Sequence, residues 1–250
     1  MQKKNYHNKV NAIKQELNRP SKQNKSKAVK INEDDMITVI CVDDQDDFAK
    51  PDGALYVPGG ENIDDAIIEY ATQNKKYIKQ FIFTRDWHTK KDESFEVNGG
   101  QWPIHCVQGT QGAEISKKLI DAIVKLGIPY VIVNKGTVPD HEEYGAFEHC
   151  GTFHHLHPND PPHVKNCYFA NVESSSGCRI TTEKLTVCGI AGDYCVKETM
   201  KNLLKHWRKF KINVLIDGVA SIDGGTALNE FIKENNLGII GLDLNKVFNV

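Results

Sequence analysis

Met36-Ile37-Thr38-Val39-Ile40-Cys41-Val42 is an apolar run that stops at Asp43. A strand of this kind is buried on both faces, the habit of parallel sheets covered by helices. The chain on either side repeats the pattern. Asn62 is placed to cap a helix with Asp64 and Asp65 in its first turn. Its Ile63, Ile67 and Tyr70 form an i, i+4, i+7 stripe. Phe81-Ile82-Phe83-Thr84 reads as a second strand, ending before Asp86. Ile115, Leu119, Ala122, Ile123 and Leu126 make the next helix face, closed by Gly127. Tyr130-Val131-Ile132-Val133 is a third strand, ending near Lys135. Leu185-Thr186-Val187-Cys188 is a fourth, followed by Gly189-Ile190-Ala191-Gly192. A helix then starts near Asp193, with Val196, Met200 and Leu203 inward. Asn213-Val214-Leu215-Ile216 is a fifth strand that runs into Asp217-Gly218. Leu228, Phe231 and Ile232 face a last helix, and Gly238-Ile239-Ile240-Gly241 is a sixth strand. This alternation predicts a three-layer α/β/α sandwich around a mainly parallel, six-stranded sheet.

Composition bounds the function classes. The chain has 250 residues, 31 Lys+Arg, 33 Asp+Glu and 40% hydrophobic residues, ordinary for a globular protein of one large domain or two small ones. No apolar run approaches the ~18 residues of a membrane helix, so no membrane partner is expected. Lys3 and Lys4 are not followed by an apolar core, so no secretory leader is expected. Phe248-Asn249-Val250 carries no lipidation or peroxisomal signal. The seven cysteines are odd in number and lack metal-knuckle spacing. They point to free thiols in a reducing, cytoplasmic setting, with access to the nucleus left open.

The formal charge of −2 hides a split. Residues 1–34 hold nine Lys/Arg against three acidic groups, leaving 22 against 30 in residues 35–250. The first segment is rich in Lys, Asn, Gln and Ser and reads as a mobile basic tail, with Val10, Ile13 and Leu17 at helical spacing. Residues 35–250 read as the folded domain. Its acidic balance argues against nucleic acid as a partner, and a solvated extension is favoured over contact with RNA or a membrane surface. A homo-oligomer is left open.

In open parallel sheets ligands bind at the carboxyl ends of the strands. Asp43, Asp86 with His88, Lys135 and Cys195 all fall there, after four successive strands. Cys195 lies in the first turn of a helix, where free N–H groups and partial positive charge lower a thiol pKa and form an oxyanion pocket. The bland alternative is a small buried apolar residue. Asp43 after an apolar run is costly unless paired, and Lys135 is its natural partner. Loop-amide bonding for Asp43 and a solvated end for Lys135 are the alternatives. Asp86, His88 and His105 suit zinc, iron or manganese, and a His–Asp ion pair competes with that reading. Residues 148–167 hold His149, Cys150, His154, His155, His157, His163 and Cys167, but three prolines and irregular spacing favour a loop or lid over a metal site.

These same residues carry a resemblance. Val42-Asp43-Asp44-Gln45-Asp46-Asp47-Phe48 resembles the V-D-x-Q-N-D-F signature of the isochorismatase-like hydrolases, and Pro58-Gly59-Gly60 fits the P-G-G that follows. Thr84-Arg85-Asp86-Trp87-His88, then Ser94-Phe95, resembles T-x-D-W-H-P-x-x-H-x-S-F. Trp102-Pro103-Ile104-His105-Cys106-Val107-Gln108-Gly109-Thr110, with Gly112-Ala113, resembles W-P-x-H-C-V-Q-G-T-x-G-A. Lys135-Gly136, Tyr144-Gly145-Ala146-Phe147 and Gly189-Ile190-Ala191-Gly192-Asp193-Tyr194-Cys195-Val196 fit in the same order. The D-W-H and W-P-x-H-C pair is similar to the nicotinamidase branch.

The resemblance implies hydrolysis of nicotinamide to nicotinate and ammonia, in NAD salvage. It makes Cys195 the nucleophile, Asp43 the base, and Lys135 the residue that holds Asp43 and the thiolate. It implies an oxyanion hole from the Ala191 and Cys195 backbone N–H groups, with a cis Ile190–Ala191 bond. It places Phe48, Trp102, Tyr144, Ile190 and Tyr194 around the substrate. One divalent ion, zinc with iron or manganese as alternatives, falls to Asp86, His88 and His105.

Three departures stand out. The family's third histidine falls on Asp92, which ligates directly, through water, or not at all. Gly192 replaces the usual Thr, which is expected to loosen the nucleophile turn. Residues 148–182 form a longer insertion than the family has. A metal-free amidohydrolase for a carbamoyl or ureido substrate is the main alternative, and it needs a carboxylate-binding Arg. Arg85, the one Arg near a motif, points away from Asp86 by strand alternation. A binding module without turnover and a dinucleotide oxidoreductase are disfavoured: the Asp43, Lys135, Cys195 set is intact, and no G-x-G-x-x-G follows the first strand.

Overall fold

The structure, a computed structural model, describes residues 32–148, 167–168, 178–206 and 209–242. The basic tail expected over residues 1–34 lies almost wholly outside the described residues, as do the histidines of the His-rich segment and most of the 148–182 insertion.

Eight strands are described: β1 (Ile37–Val42), β2 (Ile78–Asp86), β3 (Tyr130–Lys135), β4 (Cys167–Tyr168), β5 (Cys178–Arg179), β6 (Lys184–Ile190), β7 (Lys211–Ala220) and β8 (Gly238–Ile240). Six of them form one sheet in the order β3-β2-β1-β6-β7-β8, every neighbouring pair parallel. The short β4 and β5 pair with each other in a separate two-stranded sheet. Among the described residues, four α-helices of nine or more residues connect the strands: α1 (Ile63–Asn74), α2 (Lys117–Leu126), α3 (Lys197–His206) and α4 (Thr226–Glu234).

Strand alternation sorts the core into two faces. Val39 and Cys41 of β1 pack with Ile67 and Tyr70 of α1 and Leu119 and Ile123 of α2. Ile40 and Val42 pack with Met200 and Leu203 of α3 and Leu228 and Ile232 of α4. Each such side chain removed from water contributes about 1.5–3 kcal/mol. A sheet that is apolar on both faces is stable only between two helical layers, and this is the α/β/α sandwich its strands predict.

Three local details differ from the sequence reading. Asn62 does not cap α1 with its side chain, because a 3-10 turn, Gly60–Asn62, already holds it near helical dihedrals. Strand β2 begins at Ile78, before the expected Phe81, because half-buried Lys79 and Gln80 at its start mask it. Strand β7 continues beyond Asp217-Gly218 to Ala220 through an irregularity: Val187 pairs with Val214, but Gly189 pairs with Val219. Gly218 permits this, since a Cβ there would lie 3.0 Å from Ile67 Cγ1.

The strand order places the site. From β1 the chain moves outward through β2 and β3, then returns beside β1 as β6 and moves the other way. The crossover direction therefore reverses between β1 and β6, and a crevice opens at their carboxyl ends.

Candidate active site

Asp43 is the first residue past β1. It is fully buried and adopts φ 47°. Its N–H donates to the Thr84 carbonyl at 3.1 Å, and its Oδ1 accepts the Thr84 hydroxyl at 2.6 Å. Lys135 closes β3 directly beside Asp86 of β2, in parallel register. Its ammonium lies 2.8 Å from Asp43 Oδ2 and 2.5 Å from Asp86 Oδ1. It also donates to the Glu143 carbonyl at 3.2 Å and lies 3.7 Å from Cys195 Sγ. Asp43 Oδ2 accepts no well-aligned hydrogen bond among the described residues. It is the Asp43 oxygen not taken by Thr84, and it lies in ion-pair contact with Lys135.

The buried charges tune one another. Burial lifts the Asp43 pKa to about 6, against the pull of Lys135 and with a push from Asp86. Burial alone would also raise Asp86, but Lys135 and His88 outweigh it and hold that carboxylate well below the usual range. Lys135 is held firmly charged because Asp43 and Asp86 overcome its burial. Cys195 departs from the expected low thiol pKa. Burial raises it, the Lys135 charge pulls it down, and the Asp43 and Asp86 charges push it up again; the net shift is upward, which favours the thiol in the resting site.

The nucleophile rides on a tight turn. The Ile190–Ala191 bond is cis. The Ala191 carbonyl accepts the N–H groups of Tyr194 and Val196 at 3.1 and 3.0 Å. Residues Gly192–Val196 form a π-turn that continues into α3. Gly192 does not leave the turn empty: a Cβ there would meet the Ser221 hydroxyl at 2.1 Å. Asp193 clamps the turn from outside, its two oxygens accepting the N–H groups of Ile222 and Asp223 at 3.0 Å each.

The second half of the site is a donor cluster. Ligand atoms of Asp86, His88 and His105 all lie within 4.8 Å of one another, and all three residues are buried. Burial lowers the His105 pKa and keeps that imidazole neutral, as a metal ligand must be. Burial works the same way on His88, but Asp86 and Asp92 raise its pKa to about 10. Two imidazoles and one carboxylate at this spacing fit a divalent ion. Asp92 is not in this cluster; its Oδ2 lies 2.9 Å from His88 Nδ1. Asp43, Asp86 and Cys195 form a second group with atoms within 4.8 Å, but Lys135 already occupies it as counter-charge.

A cleft of about 400 Å³ joins the two halves. Phe48, Trp102, Tyr144 and Tyr194 line it, with Asp86, His105, Ala191 and Cys195. Trp102 meets Tyr194 edge-on at 5.3 Å between centroids, and its indole N–H donates to the Tyr144 hydroxyl at 3.0 Å. Ile190 does not line the cleft. It is fully buried in the core, where its Cδ1 approaches Gly60.

Several working residues escaped the sequence reading. Gln45 pairs with the Asp86 backbone, donating to its carbonyl at 2.8 Å and accepting its N–H at 2.7 Å. Asp47 accepts the Cys106 N–H at 2.6 Å and so fixes the loop that carries His105. Both stand in the first signature, where only Asp43 and Phe48 drew notice. Leu55, Val57, Glu142 and Ile222 also line the cleft. Glu142 precedes Tyr144 by two residues, the one signal that was available for it. Arg85 turns to Asn134 at 2.7 Å and lies over the Trp87 ring, away from the cleft.

No family model matches the chain. Curated relatives and solved structures do. The nicotinamidase of Saccharomyces cerevisiae is 28% identical over 233 residues, covering 82% of this chain and 99% of that protein. The crystal structure of pyrazinamidase from Pyrococcus horikoshii in complex with zinc matches at 32% identity and TM-score 0.60, covering 82% of this chain and 99% of the other. The yeast nicotinamidase bound to the inhibitor nicotinaldehyde matches at 27% identity and TM-score 0.63, covering 83% and 100%.

Proposed function

The chain belongs to the nicotinamidase/pyrazinamidase family of isochorismatase-like hydrolases, and from that footing we propose that it hydrolyses nicotinamide to nicotinate and ammonia. One observation carries the reading: Cys195, Asp43 and Lys135 meet at one end of an aromatic cleft whose lining also includes Asp86 and His105. The first group suits acyl transfer. The second suits an aromatic ring bearing a nitrogen donor.

The steps follow from the groups present. The nicotinamide ring enters between Phe48, Trp102, Tyr144 and Tyr194. A divalent ion on Asp86, His88 and His105, zinc by analogy with the Pyrococcus horikoshii complex, would supply a Lewis-acid anchor for the ring nitrogen. Cys195 Sγ attacks the carboxamide carbon as its proton passes to Asp43 Oδ2. The backbone N–H groups of Ala191 and Cys195 hold the oxyanion. Collapse expels ammonia, which takes the proton from Asp43, and leaves a thioester. Water, deprotonated by Asp43, cleaves the thioester to nicotinate and restores the thiol. Lys135 keeps the negative charge of Asp43 and Asp86 tolerable inside the protein.

Four described cysteines, Cys41, Cys106, Cys188 and Cys195, are free thiols, which supports work in a reducing compartment such as the cytoplasm. No helix among the described residues is long and apolar enough to cross a membrane. The test is ammonia release from nicotinamide by the zinc-loaded, reduced protein. Release that vanishes in Cys195→Ala supports the reading. No release from the loaded protein overturns it.

A further inference from the structure

The two imidazoles of the donor cluster are each held by Nδ1. His105 Nδ1 lies 2.8 Å from the Pro103 carbonyl oxygen. A carbonyl oxygen only accepts, so that nitrogen carries the proton and Nε2 carries the free lone pair. His88 Nδ1 lies 2.9 Å from Asp92 Oδ2. The other Asp92 oxygen, Oδ1, accepts the Ser94 N–H at 3.0 Å. Both carboxylate oxygens are therefore engaged. The Asp92 backbone is held too, since Asn98 Nδ2 donates to its carbonyl at 2.7 Å.

The His88 ring is fixed from its other sides. Gly136 adopts φ +60°, and a Cβ there would lie 2.5 Å from His88 Cε1. Phe95 and His105 meet the ring edge-on at centroid distances of 5.5 and 5.1 Å. His88 Nε2 is the nitrogen nearer Asp86, 3.7 Å from its Oδ2. The ligand atoms that converge belong to Asp86, His88 and His105, without Asp92.

We propose that Asp92 is a positioning residue and not a ligand: it accepts the Nδ1 proton of His88 and commits Nε2 to the ion. The proposal rests on the metal-dependent reading above and deepens it. A carboxylate behind a ligating imidazole fixes its tautomer and raises its basicity. The family pattern places a histidine at this position. Here an aspartate has withdrawn behind His88, so the protein supplies three donors and leaves the remaining positions to water or substrate. Asp86 and His105 line the cleft, so substrate reaches this centre directly.

The test reads the imidazole itself. The protein is labelled with nitrogen isotope at histidine and loaded with an NMR-active cadmium isotope. The expected spectrum shows His88 coupled to the metal through Nε2, with a protonated Nδ1. In parallel, chelator competition measures zinc affinity of the apoprotein. Asp92→Ala is expected to bind zinc about 10–100-fold more weakly. Asp92→Asn, whose amide oxygen still accepts, is expected to lose less. Asp121→Asn, at an exposed pair on α2, is expected to bind as the parent does. Coupling through Nδ1, or zinc affinity unchanged in Asp92→Ala, overturns the proposal. Should Asp92→Ala fail to fold by circular dichroism, the parent spectrum and Asp92→Asn decide. Ammonia release is scored separately on the zinc-loaded parent. Its failure removes the nicotinamide reading and leaves the His88 spectrum to stand or fall alone.

Discussion

Lys135 Nζ lies 2.5 Å from Asp86 Oδ1, and this contact joins the nucleophile to the donor cluster. The same ammonium lies 2.8 Å from Asp43 Oδ2. One buried cation therefore balances a general base and a metal-ligand candidate. Removing it leaves two buried carboxylates without their counter-charge. Lys135→Met is expected to lose about 3–5 kcal/mol of stability, read by urea unfolding, along with its amidase activity. A variant as stable as the parent would show that the pair is not buried as described.

The acid limb of the reaction should report Asp43. Its pKa is raised to about 6 by burial, and only the ionised form accepts the thiol proton. As pH falls through about 6 the base is protonated, and kcat/KM is expected to fall with it. Asp43→Asn is expected to lose ~10²–10⁴-fold at every pH and to lack this limb. A limb that persists in the variant points to another group.

Asp44 offers a stability test outside the reaction. It is almost fully buried, and neither side-chain oxygen has a well-aligned hydrogen bond among the described residues. Burial raises its pKa well above the usual range, with Asp64, Cys188 and Asp46 adding to the shift. Asp64 is itself bonded to the Ser116 hydroxyl at 2.7 Å. A group whose folded pKa is raised favours folding while protonated and opposes it once ionised, so its stabilising effect is lost as pH rises. Asp44→Asn is expected to raise the melting temperature more at pH 8 than at pH 4.5. Equal shifts at both values would show that ionisation of Asp44 does not limit stability.

Gly136 marks how closely the metal side is packed. A methyl group there strains the backbone at φ +60° and collides with His88. Gly136→Ala is expected to cost about 1–3 kcal/mol and to weaken zinc binding, read by thermal melting and chelator competition. Retention of both would mean that the ring has room to move.

Much of this site was legible along the chain. The apolar runs that end at Asp43, Asp86 and Lys135 revealed the strands, and strand ends of a parallel sheet are where ligands bind. The withdrawal of Asp92 was not legible, because spacing alone does not tell a ligand from the residue behind it. Ile190 was misplaced for a related reason. A residue next to the nucleophile turn can face either the cleft or the core, and Gly60 beside it decides for the core. The high pKa of Cys195 was also hidden. The start of a helix suggests an acidic thiol, but burial beside Asp43 and Asp86 reverses the sign.

The order of elements, the two-faced apolar strands and the identities of the reactive groups were determined by the sequence, because periodicity and residue chemistry are local properties. The tertiary structure alone decided which groups share a charge. Lys135 meets Asp43 from 92 positions away because β1, β2 and β3 lie side by side with parallel ends. Distances of this kind arise from strand register and crossover direction, and neither is written in any single stretch of the chain.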